Sequence, residues 1–275
     1  MSHRYNWRTF GLEVALIAFA VIFLFPIYVL VVQALKSPAE LTASPLGLPQ
    51  HLYLGNFAEA WTAAQIGPAL VNSIIVTGTS VFFLVLMGSL GAYALSRRQS
   101  LLSNGLFQAF LLGIIVPFQL ALIPLYQLVK SWQLLGTYTA IILFHTGGLL
   151  PLAIFLFVGF LRSTTRAYEE AALIDGASYL QTFAFVVFPL LRPVTGTVVI
   201  LSTIIVWNDF FTPLLYLSGS GRQTVPVAIF SFVGQYVSQW QLIFAGLIIG
   251  TAPVLLAFFL LQRTVIKGFA SGLKG

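Results

Sequence analysis

Six stretches of this sequence are each long and apolar enough to cross a lipid bilayer, at approximately 12–35, 67–95, 105–129, 138–161, 193–217 and 242–262. A hydrocarbon core of about 30 Å is spanned by ~20 apolar residues in a helix. Inside lipid every backbone N–H and C=O must be bonded within the protein, so repeated runs of this length predict helices and leave few other architectures open. The first run follows Arg4 and Arg8, as a secretory leader would. Its apolar stretch is longer than the roughly 7–15 residues of a leader core, so it reads as a retained helix. Composition agrees: only 7% of the 275 residues are charged, 13 basic and 7 acidic, and 59% are hydrophobic. A typical soluble domain carries about 25% charged residues, and with a mean hydropathy of +0.96 the chain is excluded as a water-soluble enzyme. The expected fold class is an all-α polytopic membrane protein with six transmembrane helices, and residues 1–275 read as a single transmembrane domain.

Basic residues resist translocation and stay on the cytoplasmic side, so their placement between the spans orients the chain. One side holds Arg4, Arg8, Arg97, Arg98, Arg162, Arg166, Arg192, Arg263, Lys267 and Lys274; the other holds only Lys36, Lys130 and Arg222. Both termini are therefore expected in the cytoplasm, with the chain multi-pass in its membrane. Residues 36–66 become an extracytoplasmic loop, in which Asn56 could cap a short helix running through Trp61. Residues 162–192 become a cytoplasmic loop and 263–275 a cytoplasmic tail. The stretch 218–241, interrupted by Pro226 and Gly234, is expected to fold back at the outer surface. The net charge of +6 and pI near 9.7 would suggest nucleic acid in a soluble protein, but no basic block is present and no nucleic-acid partner is expected.

Chemistry inside the spans is sparse. The chain has no cysteine, and His3, His51 and His145 are too far apart in sequence to form a metal-binding spacing. Ion-coupled carriers bury acids or histidines near mid-membrane, yet Glu13 starts the first span and His145 lies within the fourth span without an acidic neighbour. Asp209 alone lies well inside a span, about 24 Å along it at ~1.5 Å per residue. With Asn208 it could line the outer end of a solute path, or it could bond backbone freed by Pro213. Pro26, Pro117, Pro124, Pro151, Pro213 and Pro253 also lie in spans. They admit two readings, kinked helices around a pathway or the general frequency of proline in membrane helices. No phosphate-binding GxxxxGK[ST] loop and no GxSxG elbow occurs. No catalytic residue, metal or cofactor is assigned to the chain, and energy for active transport would come from another polypeptide.

The loop at 162–192 holds Arg162, Arg166, Glu169, Glu170, Asp175 and Arg192, six of the chain's few charges. Helix formers from Glu169 to Leu173 precede Gly176, which is placed to close a short helix in the left-handed conformation. A second helix is expected to begin near Ser178 and to be interrupted at Pro189. Such a pair could dock on a cytoplasmic partner or merely cover the base of the bundle. Its spacing is distinctive: Glu170-Ala171-Ala172, three residues, Gly176, nine residues, then Val186, Phe188 and Pro189. This resembles the EAA signature, EAA-x3-G-x9-I-x-L-P, of binding-protein-dependent ABC importer permeases, with Val186 and Phe188 departing from the usual Ile and Leu. The run YEEAALIDGAS, together with ALSRR, IPLYQLVKSWQLLGTY, WNDFFTPLLYL and QRTVIKGFASGLKG, is similar to the carbohydrate-uptake branch, to the smaller membrane subunit of maltose permeases.

The resemblance implies the type I permease fold and a role for each matching segment. Glu169, Glu170, Ala171, Ala172, Asp175 and Gly176 would form the coupling helix that sits in a cleft of an ATP-binding subunit. The carboxy-terminal residues Phe269, Gly272, Leu273, Lys274 and Gly275 would contact the nucleotide-binding dimer. Val237, Ser238, Gln239 and Trp240 would meet an extracytoplasmic solute-binding protein, through a stretch that looks shorter here. Implied partners are a second homologous permease subunit, two ATP-binding subunits carrying ATP and Mg, the solute-binding protein and membrane lipid. The implied cargo is a sugar, oligosaccharide or related polyol. Alternatives are another solute such as glycerol phosphate, a peptide or an amino acid, or a secondary carrier.

Overall fold

A computed structural model describes residues 6–98, 100–233 and 238–272, with the side chains of residues 8, 118, 119 and 260–272 left aside. Among the described residues there are helices and no strands. Four helices are long and apolar enough to cross a membrane, and six spans result when each of two bent pairs counts as one. By its contacts the chain divides into two compact units, one from the residues up to Gly67 with Ala228–Ala252, the other from Pro68–Val227 with the residues from Pro253 on.

In the first unit, α1 (Trp7–Ala34) starts from a reciprocal cap, the Asn6 side chain accepting from Trp7 N at 2.7 Å while Thr9 Oγ1 accepts from Asn6 N at 3.3 Å. Each bond satisfies a backbone donor that a helix start leaves open. Pro26 lies inside α1 without ending it. Two short helices follow, α2 (Pro38–Ala43) and α3 (Gly55–Ala63). The α3 expectation is met, but its cap is not Asn56. That residue is buried inside the helix, and its amide donates to the carbonyls of Ala34 at 2.8 Å and Lys36 at 2.7 Å. Two buried carbonyls at the end of α1 need donors more than an exposed helix start needs an acceptor. Lys36, fully buried, donates to the Ser44 carbonyl and closes the same turn. Asn56→Ala would leave both carbonyls without a partner, at a cost of about 2 kcal/mol. Asn56→Asp, which has acceptors only, should be no better; thermal unfolding in detergent measures both.

The second unit is built on α4 (Ile66–Arg97) and α7 (Tyr138–Ser163). They meet where α4 carries glycines: a Cβ added at Gly88 would come 3.0 Å from Ala153 Cβ, and one at Gly91 3.5 Å from Ile154. Small residues let membrane helices approach closely when no hydrophobic force drives them together. Leu84, Ala92, Phe157, Val158 and Leu161 continue this buried seam.

The third expected span is not one straight helix. It forms α5 (Leu101–Ile115) and α6 (Phe118–Ser131), turned by 105°. Pro117 pushes the preceding Val116 out of the helical region, to φ −67° and ψ 119°, and then opens the next helix. The fifth expected span also differs. It begins before residue 193, with α9 (Tyr179–Thr182), a π turn at Phe183–Val187 and α10 (Phe188–Leu190), then turns by 74° into α11 (Arg192–Asn208). The expected interruption at Pro189 falls instead at Leu191. The wider π turn lies where the proline ring would otherwise meet the carbonyl four residues earlier. At its other end the span stops at Asn208 rather than 217; Asp209 is extended and α12 (Phe211–Tyr216) follows.

The stretch after α12 is pinned by hydrogen bonds. Asn72 Nδ2 donates to Gln223 O at 2.8 Å, Ser73 Oγ accepts from Val225 N at 2.9 Å, and Arg222 donates to Gly136 O at 2.7 Å. It then forms α13 (Val225–Phe230), and α14 (Trp240–Gly272) completes the chain, with Pro253 inside it.

Candidate coupling helix and transmembrane cavity

Helix α8 (Ala167–Ile174) carries most of the residues singled out by the EAA spacing. Its end is closed twice over, Gly176 N donating to Leu173 O at 3.1 Å and Ala177 N to Ala172 O at 3.0 Å. This pair of bonds requires a left-handed residue, and Gly176 has φ +88°. The next residue but one starts a new cap, with Ser178 and Gln181 exchanging side chain to backbone bonds at 3.3 and 2.8 Å. The connection between α8 and α9 is therefore fixed at each residue.

The acids of α8 differ in direction. Glu169 is buried, and its carboxylate accepts from Arg97 Nε at 2.9 and 3.0 Å and from Nη2 at 2.5 Å. Arg97 also donates from Nη1 to Leu161 O at 3.0 Å. One guanidinium at the end of α4 thus holds both α8 and the last turns of α7. Glu170, Ala171, Asp175 and Gly176 face outward, with Ala172 half-buried. Ile174, 85% exposed, and Tyr179, 74% exposed, extend this outward face in apolar side chains. Sequence reasoning counted Arg97 only as a flanking positive charge; its partner is 72 positions away, beyond any local spacing.

Asp209 and Asn208 are brought beside a residue that sequence reasoning set aside. His145 Nε2 lies 3.5 Å from Asp209 Oδ2, so the expectation that His145 lacks an acidic neighbour is corrected. The partner comes from just past the end of α11, which sequence separation conceals. Asp209 Oδ1 accepts from the backbone of Phe211 at 3.0 Å and Thr212 at 3.2 Å and starts α12. The acid thus bonds backbone next to Pro213, one of the two readings, while its second oxygen faces the cavity. That cavity, about 290 Å³, is lined by Phe144, His145, Leu149, Ile205, Asn208 and Thr212 as well as Asp209.

Ser238, Gln239 and Trp240 edge a separate hollow of about 770 Å³ together with Pro38, Leu41, Thr42 and Pro45. Trp240 stacks on Phe244 with ring centres 6.0 Å apart. Val237 lies outside the described residues. Phe269 and Gly272 fall in the last turns of α14, and Leu273, Lys274 and Gly275 lie outside the described residues. Among the described residues no group of three or more His, Cys, Asp or Glu could hold a metal ion.

Such a helical bundle, with an exposed elbow between two spans, is the architecture of a polytopic membrane protein. The chain belongs to the family described as "Binding-protein-dependent transport system inner membrane component", which matches residues 84–270, and it is accordingly a multi-pass inner-membrane protein. It is 35% identical over 248 residues to the melibiose/raffinose/stachyose import permease protein MelC of Bacillus subtilis, covering 90% of each chain. It is 30% identical over 272 residues to the multiple sugar-binding transport system permease protein MsmG of Streptococcus mutans, covering 98% of this chain and 96% of that one. Its fold is that of a chain in a crystal structure of a bacterial ABC transporter involved in the import of the acidic polysaccharide alginate. The TM-score is 0.83 at 22% identity, over 95% of this chain and 99% of the other.

Proposed function

We propose that this chain is one of two homologous permease subunits of an ATP-driven importer that moves a sugar, oligosaccharide or related polyol into the cell. The observation that carries this reading is the rigid α8–α9 elbow, with Glu170 and Asp175 outward and Glu169 tied back to α4. An elbow that cannot flex passes a push on its outer face directly to α4 and α7. Two ATP-binding subunits, holding ATP and Mg, would receive α8 with Glu170, Ala171, Ala172, Asp175 and Gly176 at the contact and Glu169 behind it. Both termini would lie on that cytoplasmic side, and residues 269–275 would reach the same subunits. A solute-binding protein would dock outside, where residues 237–240 would contribute. Asn208 and Asp209 would border the solute path, and closure of the ATPases would rock the spans between outward- and inward-facing states.

The relatives named above support the sugar assignment, since their own names describe import of melibiose, raffinose, stachyose and multiple sugars. The test is co-expression with an ATPase, a partner permease and a solute-binding protein from the same organism. ATP-dependent uptake of a labelled sugar is expected from the full set and none without the ATPase. Uptake by this chain alone would refute the reading. Glu170→Lys should insert normally yet lower co-purification of the ATPase at least several-fold, because an outward acid is replaced by a cation at the contact.

A further inference from the structure

The geometry points to a subsite for one neutral sugar ring at His145 and Asp209, an inference that rests on the importer reading and names the solute chemistry of its path. His145 is 4% exposed and its Nε2 has no hydrogen-bond partner. A buried polar atom left unbonded is costly to the fold, and such groups in native proteins are nearly always satisfied by something. Asp209 Oδ2, at 3.5 Å, stands beyond the usual 2.7–3.2 Å reach of an N–H···O bond. A hydroxyl group both donates and accepts, so one placed against the two can donate to the carboxylate and accept from the imidazole N–H.

The rest of the cavity suits the same ligand. Leu149, Ile205 and the ring of Phe144, which meets His145 edge-on at 5.7 Å, offer apolar walls for the C–H faces of a sugar. Asn208 and Thr212 add polar groups to the lining. The volume of about 290 Å³ falls at the small end of ligand pockets, which are ~300–1,000 Å³, and so suits a single ring of a longer saccharide. Asp209 would repel a phosphate, sulfonate or carboxylate placed beside it, which selects neutral polyhydroxyl solutes over anionic ones. His145 lies seven residues into α7, about 10 Å from its start at ~1.5 Å per residue, within the span rather than at its edge.

The test uses the complete assembly in ATP-loaded proteoliposomes, with radiolabelled melibiose and raffinose as neutral probes and glycerol 3-phosphate as the anion. His145→Leu and Asp209→Asn are the variants. Leucine fills similar volume with no bond to lose, and asparagine keeps the Oδ1 acceptor that starts α12. Each variant should lower neutral-sugar uptake roughly tenfold relative to ATP hydrolysis, the order expected for one hydrogen bond to a charged group. Because the chain contains no cysteine, Asn208→Cys provides its only thiol. Its modification by a membrane-impermeant reagent should slow several-fold in the presence of the transported sugar. Wild-type sugar uptake with both variants unaffected, or with uptake and ATP hydrolysis falling in step, overturns the subsite and leaves the importer reading standing. So does thiol modification that the sugar does not slow. Uptake of glycerol 3-phosphate but of neither sugar overturns the sugar assignment and the subsite together.

Discussion

Arg97→Ala should destabilise the protein by about 3–5 kcal/mol, the cost of leaving one member of a buried ion pair without its partner. Arg97 and Glu169 are 13% and 9% exposed, and the guanidinium spends three of its donors on Glu169 and Leu161 O. Removing the arginine leaves a buried carboxylate without its forked partner, in a pocket lined also by Tyr93, Ala94, Arg166 and Leu173. The unfolding midpoint of the purified protein should drop accordingly, and uptake should be lost because α8 is no longer held to α4. The double variant Arg97→Leu with Glu169→Leu removes both charges, and it should recover most of the lost stability, since hydrophobic pairs often replace buried ion pairs at little cost. Its uptake should stay low, because a packed pair of leucines does not fix the direction of α8 as a forked guanidinium does. Full recovery of both properties would show that the pair serves stability alone.

Substitutions at Gly176 should rank by backbone preference rather than by size. The residue has φ +88°, and a Cβ added there would meet nothing within 4 Å. Sterics around the site therefore impose no penalty, and the whole cost is the left-handed conformation. That cost is roughly 1–2 kcal/mol for Ala and larger for β-branched Val, while Asn visits the region readily. Uptake should be nearly normal for Gly176→Asn, reduced for Gly176→Ala and lost for Gly176→Val, with all three proteins inserted in the membrane. A ranking by side-chain volume, with Asn worse than Ala, would instead indicate that a partner surface presses directly on this position.

Much of the fold was legible because lipid demands long uninterrupted runs of apolar residues, and those runs stand out against so few charges. Span breaks were less legible. Pro26, Pro124, Pro151 and Pro253 lie inside continuous helices, whereas Pro117 coincides with a 105° turn. The same residue type gives opposite results because neighbours decide whether the freed carbonyl is satisfied. Gly176 could be assigned its left-handed turn from its neighbours in sequence, since cap bonds span only a few residues. The partners of Glu169 and Asp209 could not, because Arg97 and His145 approach them from other helices. Local patterns also failed for Asn56, whose amide serves the end of the preceding helix instead of its own.

Helix α1 has the highest mean hydropathy of the four unbroken spans, 2.9, and none of that apolar window is buried among the described residues, against 44% for the window in α4 and 39% for that in α7. Among the described residues no other segment covers that window, which is left to lipid or to a partner subunit. During synthesis it can partition as soon as it emerges and tether the nascent chain. The glycine-lined α4 then has time to wait in the membrane for α7, with which it must associate before either is fully covered.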